Sequence, residues 1–464
     1  MIRVRFAAAT ALTFAVFTAA PSLASAQTIK EALAQAYAYS ADLASFRARL
    51  RATDEGVAIA MSGWRPTLTF SANANEGWRD IQGQGTTVGS NGRFHVEPRG
   101  DQLTISENLY RGGRTTAGVS QADNLVQSDR ASLLDLEQQV LLQAATAYMD
   151  VVRDQSTLDL NINNEKVLQR QLEATRDRFQ VGEVTRTDVA QSESRLAAAK
   201  ASRVAAEGTL ANSRATYVRL MGQAPGKLEN APPLGDLPPS VEETNAIAAD
   251  KAFLVVAAKY TELAARDNVD VIFGEMLPLV TLNGNYQDSR ETASATGRFK
   301  TATVGVTATV PLYEAGSVSA RTRQAKEVVA QRRKDLDKQI RLSVQTATQA
   351  WDALESARAQ VTSFNSQVTA AQIALNGVEQ EQQVGSRTVL DVLDAEQELL
   401  TAQVNLVRAQ HDVVVQTYTL RAAVAGLTAQ QLALPVEVVD VEKHYNETRT
   451  RFFGWWTDSS DDKK

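Results

Sequence analysis

The chain has 464 residues, of which 44% are hydrophobic and 22% charged, so it can bury extensive cores and does not have the composition of a disordered or collagen-like chain. It contains no cysteine, which excludes disulfides, thiolate metal sites, cysteine nucleophiles and cysteine-linked lipid anchors. The 48 basic and 54 acidic residues give a net charge of −6, which does not indicate a nucleic-acid-binding surface. With only three histidines and no visible ligand cluster, we expect no enzymatic activity, no metal and no cofactor.

The start of the chain has the order of a secretory signal. Two arginines precede an apolar run of 15 residues, and Ala24-Ser25-Ala26 follows it. This order predicts a signal peptide over residues 1–26, cleaved between Ala26 and Gln27. The alternative, a membrane anchor, needs about 20 apolar residues to span a bilayer as a helix. Removing the signal takes away two arginines and leaves a mature chain of net charge −8.

Two stretches of nearly equal length contain no proline. They span 126 residues between Pro98 and Pro225 and 123 residues between Pro311 and Pro435. Proline is the strongest interruption of a helix, so both stretches are compatible with long helices. Their similar lengths suggest a duplication within the chain.

A constant offset of 203 residues relates the two halves of the chain. It places similar residues on one another at Leu109-Tyr110 and Leu312-Tyr313, Gly113 and Gly316, Val181-Gly182 and Val384-Gly385, and Asp188 and Asp391. We therefore predict a first structural repeat over residues 27–222 and a second over residues 241–427. A proline-containing linker over residues 223–240 joins them, and residues 428–464 form a C-terminal tail.

Within each repeat, apolar residues recur every seven positions. Two of these rows consist of Val126, Leu133, Val140 and Ala147 in the first repeat and of Ile340, Ala347, Leu354, Val361, Val368 and Leu375 in the second. A strict seven-residue period is typical of left-handed coiled-coil packing, and adjacent rows favour a bundle or helical barrel over a two-stranded rod. We predict helical hairpins at about residues 113–222 and 314–427, with tips at 182–188 and 385–391.

Short segments of two-residue period precede each hairpin. They predict strands at about residues 66–80, 99–110, 278–288 and 299–311. The polar stretches 80–100 and 288–300 between them suit exposed loops.

The alternation of apolar and polar residues in these strands fits any half-buried sheet. Together with a signal peptide and no later helix of spanning length, it favours an outer-membrane barrel, whose strands face lipid and lumen alternately. Such barrels begin at about eight strands, so four strands per chain require several chains.

The layout and two segments resemble the TolC-type outer-membrane factor family. The segments are Val181-Gly182-Glu183-Val184-Thr185-Arg186-Thr187-Asp188-Val189 and Val384-Gly385-Ser386-Arg387-Thr388-Val389-Leu390-Asp391-Val392-Leu393-Asp394-Ala395. The resemblance implies a mixed α/β membrane protein that forms a homotrimer. Its twelve-stranded β-barrel, four strands per chain, would lie in outer-membrane lipid and continue as a long α-helical coiled-coil barrel in the periplasm of a Gram-negative cell.

The same resemblance implies a function and partners. Members of the family are exit ducts of tripartite export systems, for type I protein secretion or multidrug efflux. A periplasmic adaptor (membrane fusion) protein and an inner-membrane ABC or proton-driven pump open the duct at its periplasmic tip. A secreted trimeric coiled-coil adhesin or structural stalk is the alternative. It would share the heptads and the signal, but it would need neither strand pairs nor a duplication.

The resemblance also assigns roles to carboxylates at the tips. Asp391 and Asp394 match a pair that rings the closed entrance, where three chains would gather six carboxylates. Such a ring repels itself, favours cations and is expected to raise some of the pKa values. From the residues alone, Thr185-x-x-Asp188 and Thr388-x-x-Asp391 predict capping boxes that restart a helix after a glycine.

A latch between the tips is implied in the same way. Arg387 matches an arginine that ties the second hairpin to the neighbouring one, with Thr187 and Asp188 at the partner positions. The sequence has Gln382 where a tyrosine commonly contributes to the latch. The adaptor would dock at two places, Val181-Gly182 and Val384-Gly385.

Three conspicuous features stay outside this interpretation. His411 falls within the heptad pattern of the last helix, which predicts an ordinary helix-surface histidine. The residues before the C-terminus form an aromatic cluster whose position the sequence leaves open, namely Phe452, Phe453, Trp455 and Trp456. The glycine-rich segment 83–92 lacks the lysine of a phosphate-binding loop and is predicted to be a flexible loop.

Overall fold

The structure, a computed structural model, describes residues 27–81, 92–290 and 297–455. Gln27 is the first described residue, so the predicted signal peptide and Ala26 lie outside the described part of the chain. The same holds for residues 83–91 of the glycine-rich loop and for Trp456.

The elements of the two halves follow the same order, except that the first half has two additional strands. The first half contains α1 (Ile29–Tyr39), α2 (Ala41–Met61), β1 (Thr67–Ala74), β2 (Gly77–Ile81), β3 (Gly92–Val96), β4 (Arg99–Arg111), α3 (Arg114–Gln180) and α4 (Arg186–Met221). The second half contains α5 (Val241–Lys251), α6 (Phe253–Phe273), β5 (Leu279–Arg290), β6 (Arg298–Thr309), α7 (Ser317–Gln383) and α8 (Val389–Ala423). A last helix, α9 (Val441–Thr450), follows.

Two helices dominate the molecule. Helices α3 and α7 have 67 residues each, and α7 begins 203 residues after α3. At about 1.5 Å per residue, each is about 100 Å long. The predicted heptad row of α3 is buried, as Val126, Leu133 and Val140 show. In α7 the row is buried only in part: Ala347, Leu354 and Leu375 are buried, and Ile340, Val361 and Val368 are partly exposed. None of the helices in the described ranges is both long and apolar enough to cross a membrane.

Different partners cover the two halves of each long helix. Near the tip, α4 lies against α3 and α8 lies against α7. Nearer the strands, α2 and α6 take their place, as shown by the ion pair of Arg49 in α2 with Asp129 in α3 at 3.2 Å. In the same region, Asn124 of α3 donates to Asp267 of α6 at 2.7 Å. The long helices are therefore packed along their whole length although each hairpin partner is only about half as long.

One antiparallel sheet joins the two halves in the order β1-β4-β5-β6. The register aligns Leu68, Ile105, Gly284 and Val304 across the four strands. Residues that are paired across a sheet share one face. This register confirms the predicted set of four strands per chain.

The two faces of this sheet have opposite character. One face carries exposed apolar side chains, including Leu68, Phe70, Leu103, Ile105, Val304 and Val306. The other face is polar and linked across strands. Gln102 donates to Asn285 and Ser106 donates to Asn283, both at 2.9 Å. No described element of the chain covers the apolar face, so the sheet is not half-buried in the manner of a soluble domain.

The predicted exposed loop over residues 80–100 is wrong in part. Strands β2 and β3 form a separate antiparallel hairpin there, and β1 correspondingly ends at Ala74. The ring of Trp78 meets the ring of His95 edge-on, with centroids 5.1 Å apart. Charged residues and glycines interrupt the two-residue period in this segment, so its apolar alternation was too weak to indicate strands.

The largest buried cluster lies at mid-height of α3, where α1, α2, α4 and the end of α8 meet it. Tyr148 of α3 is fully buried there. Its hydroxyl donates to the carbonyl of Gln27 at 2.7 Å and accepts the amide of Glu229 at 3.0 Å. This side chain therefore fastens both the start of the described chain and the inter-repeat linker to α3.

We predict that Tyr148→Phe lowers the free energy of unfolding by about 1–3 kcal/mol, because it leaves buried backbone groups without a partner. The melting temperature of the detergent-solubilised protein, followed by circular dichroism, measures this loss. Tyr313→Phe, at a strongly exposed tyrosine, is the matched control and should melt like the wild type. Equal melting temperatures for both variants would contradict the assignment.

Candidate functional site at the helix tips

Both hairpins turn in the same way. We call residues 181–188 the first tip and residues 384–391 the second tip. Gly182 and Gly385 have a positive φ of 81°, which a residue with a side chain rarely adopts. In each tip the amide after the glycine donates to the carbonyl five residues earlier, at 2.9 Å. This pair of turns is the glycine-dependent helix stop called a Schellman motif.

The predicted capping boxes are confirmed in both tips. In the first, Oδ2 of Asp188 accepts the backbone amide of Thr185 at 2.8 Å, and the threonine hydroxyl accepts the amide of Asp188. In the second, Asp391 and Thr388 make the same two bonds. Each box satisfies amides at the new helix start, so the tips are short and rigid.

The residues predicted to dock an adaptor lie at the surface of the tips. The side chain of Val181 is 72% exposed and that of Val384 is 80% exposed. Each valine precedes the turning glycine. The two tips therefore present similar small apolar surfaces, on Val181-Gly182 and Val384-Gly385.

Within one chain, the tip itself determines the direction of the Asp391 pKa. Hydrogen bonds from the hydroxyl and the backbone amide of Thr388 lower the pKa of Asp391, and the guanidinium of Arg387, 3.9 Å away, adds to this. The rise in some of the carboxyl pKa values from repulsion within a ring of three chains stays a prediction for the assembly. Within one chain the capping bonds decide the direction, and Asp391 stays ionised at neutral pH.

Asp394 has a partner that the sequence did not reveal. Its Oδ1 forms an ion pair with Nη2 of Arg195, which lies on α4 in the other hairpin. One feature of the sequence could have indicated this partner: the two repeats carry opposite charges at this position, Arg195 in the first and Glu398 in the second. This ion pair links the second hairpin directly to the first.

An apolar cluster supports this link. Val389 and Leu393 at the start of α8 pack against residues of α3 and α4, namely Leu168, Leu172, Leu196 and Ala199. Leu393 is 1% exposed. The start of α8 is therefore held against the first hairpin by burial of apolar surface as well as by charge.

Arg387 is held within its own tip. Its Nε donates to Oε2 of Glu381 at 2.9 Å. Among the described residues it is not paired with Thr187 or Asp188, so the latch to a neighbouring hairpin stays a prediction for an assembly of several chains. Gln382 contributes its backbone carbonyl to the turn of the second tip, where it accepts the amide of Gly385 at 3.1 Å.

The two hairpins differ in one repeat-related pair of charges. In the first, Arg176 pairs with Glu193 at 2.6 Å. At the corresponding positions the second hairpin has Glu379 and Glu396, two carboxyls in place of an ion pair. Glu396 is buried, and its Oε2 has no hydrogen-bond partner in the described chain. Burial and then repulsion by Glu379 raise the pKa of Glu396 to about 7.

His411, which we predicted to lie on a helix surface, is buried instead. Its Nε2 lies 3.0 Å from Asp150 of α3, and its Nδ1 lies 2.9 Å from Asp412. Burial lowers the pKa of His411, but the hydrogen bonds to Asp150 and Asp412 outweigh burial and raise it. The heptad pattern could not reveal this contact because Asp150 belongs to the other repeat.

The buried carboxyl of Glu396 predicts a pH dependence of stability. Its pKa is higher in the folded chain than the ordinary 4.5. The contribution of Glu396 to the free energy of unfolding is therefore fully present below about pH 4.5, where the carboxyl is protonated in both states. This contribution is lost as the pH rises through about 7. We expect a loss on the order of 3 kcal/mol over this range.

Melting temperatures across this pH range measure the effect. Glu396→Gln should flatten the profile, whereas Glu193→Gln, the equivalent change in the first hairpin, should remove an ion pair and leave the wild-type slope. If Glu396→Gln and the wild type have the same pH profile, Glu396 is not the titrating group.

Comparison with known proteins confirms the resemblance seen in the sequence. The profile of the family described as outer membrane efflux protein matches residues 32–223 and 247–426. The outer membrane efflux protein BepC of Brucella suis is 37% identical over 450 residues, which cover 97% of this chain and 96% of BepC. The outer membrane protein TolC of Vibrio cholerae is 27% identical over 88% of this chain and 92% of TolC.

A solved structure has the same fold. The outer membrane protein VceC of Vibrio cholerae matches with a TM-score of 0.73 at 18% identity, over 86% of this chain and 96% of VceC. The family profile covers both repeats, both tips and the strands between them. The chain belongs to the outer membrane efflux protein family.

Proposed function

We propose that three copies of this chain form the exit duct of a tripartite export system in the outer membrane. The observation that carries this proposal is the sheet with one exposed apolar face and one polar face, which leads directly into two helices of 67 residues. Only two residues separate the end of β4 from the start of α3. Strands and helices are thus parts of one continuous wall.

The open edges of the sheet support a closed barrel of several chains. Strands β1 and β6 are the edge strands of the four-stranded order. In the proposed trimer, β6 of one chain pairs with β1 of the next, which gives twelve strands and leaves no edge. The apolar face with Phe70 and Val304 would contact lipid, and the polar face with Gln102 and Asn285 would line the lumen.

The helices form the periplasmic part of the proposed duct. Their length of about 100 Å and their buried seven-residue rows support a helical barrel that carries cargo across the periplasm. Val181-Gly182 and Val384-Gly385, at the far end, are the surfaces that we assign to an adaptor protein. An inner-membrane ABC or proton-driven pump would supply the energy, since no described group of this chain supplies it.

The tips are the proposed gate. Asp391 and Asp394 from three chains would ring the entrance, and Arg387 would contact Thr187 and Asp188 of the partner subunit. The ion pair of Arg195 with Asp394 supports a closed resting state, because it ties the second hairpin to the first within one chain. Opening requires the start of α8 to leave this ion pair and the apolar cluster around Leu393.

Efflux of small molecules is the cargo class that we propose. It rests on BepC, which carries the name of an efflux protein and matches nearly the whole chain. Deletion of the gene should increase sensitivity to several drugs, and a plasmid copy should restore resistance. Unchanged drug sensitivity together with loss of secreted proteins would assign the duct to type I secretion instead.

The assembly itself has a direct test. Outer-membrane fractions should contain a band that migrates as a trimer in unheated detergent gels and as a monomer after boiling. A soluble monomer in the periplasmic fraction would exclude the duct and favour a different secreted protein.

Substitutions at the tips should change the conductance of the duct in planar bilayers. Arg195→Ala breaks the link between hairpins, so it should raise single-channel conductance, and Arg387→Ala should do so if the latch between chains exists. Arg186→Ala, at an exposed arginine of the first tip, is the control and should conduct like the wild type. Wild-type conductance in Arg195→Ala would show that the ion pair does not hold the gate.

A further inference from the structure

The last helix, α9, packs against α2 and α3, and its C-terminal end lies nearer the strands than its start. His444 of α9 is 3.0 Å from Asp54 of α2, and the hydroxyl of Tyr445 donates to Asp123 of α3 at 2.7 Å. Asp54 is almost fully buried. The position of α9 is therefore fixed on two helices, close to the end at which they meet the sheet.

The chain after α9 is tied to the base of the first strand. Nη1 of Arg65 donates to the carbonyl of Arg451 at 3.0 Å, and its guanidinium lies 4.2 Å from the centre of the Phe452 ring. Arg65 is separated from β1 by one proline. We call residues 452–455 the aromatic tail. The contact places its start at the helical end of the sheet.

The side chains of this tail are exposed to an unusual degree. Phe453 is 90% exposed and Trp455 is 94% exposed. Large aromatic side chains that are exposed so near one another in the chain usually mark a contact with an apolar partner. Contacts at Arg65, His444 and Tyr445 fix the root of the tail, so its position is defined by the fold.

The surroundings of the tail identify the partner. Other exposed aromatic residues lie at the same end of the sheet, including Trp64 and Tyr110. Directly beyond Arg65, the exposed apolar face of β1 begins with Leu68 and continues with Phe70. Tryptophan and other aromatic rings next to an arginine favour the boundary between lipid headgroups and acyl chains. The aromatic tail thus extends the exposed apolar face of the sheet at the level of the boundary between headgroups and acyl chains.

We infer that the aromatic tail is an interfacial anchor that places its rings in the headgroup region of the phospholipid leaflet facing the periplasm. This inference rests on the proposed function, because it takes the apolar face of the sheet to be the lipid-facing one. The anchor adds a second contact with the bilayer to that of the barrel. Because α9 is bound to α2 and α3, the anchor also holds the ends of these helices nearest the sheet at the membrane surface.

The absence of cysteine from the chain makes the inference testable with single labels. Three variants, Phe453→Cys, Phe70→Cys and Val384→Cys, each carry one environment-sensitive fluorophore on the full mature protein. They are reconstituted in vesicles of phosphatidylethanolamine and phosphatidylglycerol that contain a nitroxide-labelled phospholipid. The label at 70 reports the proposed lipid face, and the label at 384 reports an exposed apolar position far from the sheet.

Quenching by the nitroxide lipid should be comparable at positions 453 and 70 and close to zero at position 384. If position 70 is quenched and position 453 is not, the barrel stands and the anchor is excluded. A blue-shifted but unquenched label at 453 would likewise exclude lipid and indicate a protein neighbour. If position 70 is not quenched, the proposed barrel fails, and the inference fails with it.

A second variant tests the attachment of the tail. Arg65→Ala in the Phe453→Cys background removes the two contacts that Arg65 makes with Arg451 and Phe452 at the base of β1. We expect the quenching at 453 to fall while the quenching at 70 persists in the matching Arg65→Ala, Phe70→Cys protein. Unchanged quenching at 453 would show that Arg65 does not position the anchor.

Discussion

The outer edges of β1 and β6 leave backbone amides and carbonyls without a partner strand within the described sheet. In the hydrocarbon core of a bilayer, each unsatisfied group costs several kcal/mol, so a membrane strand needs neighbours on both sides. In the proposed outer-membrane barrel, this requirement makes a single chain incomplete. It also determines which residues face lipid, because the register that closes the ladder places Leu68 and Val304 on one face and Asn285 on the other.

The two repeats share the same backbone framework, but their charged residues differ. Gly182 and Gly385 turn the chain identically, and the two capping boxes have the same bonds. The charged pairs that link helices differ, as Glu379 and Glu396 replace an arginine and a glutamate of the first hairpin. The first hairpin is thereby pinned by an ion pair within itself. The second has no such pair at these positions, and its buried Glu396 has a raised pKa instead.

Patterns among residues close in sequence predicted most of the fold and part of the structure of the tips. The heptads identified buried residues such as Val126 and Leu133, and the spacing of Thr388 and Asp391 identified the capping box. These features depend on residues close in sequence. The ion pair of Arg195 with Asp394 and the burial of His411 depend on how α4 and α3 meet α8. No periodicity within one helix contains that information. Contacts between chains are harder still to predict, because they also depend on how whole chains assemble.

The equal length of α3 and α7 restricts how this architecture can vary. Both helices start beside the same sheet, so both tips finish at the same distance from it. A length change in one repeat alone would leave the two tips at different depths and separate Arg195 from Asp394. A change that is not a multiple of seven would rotate the buried rows out of their seams. In the proposed duct, the change in length that keeps both tips level and the buried rows in register is a matched step of seven residues in each long helix and its hairpin partner, which adds about 10 Å of reach.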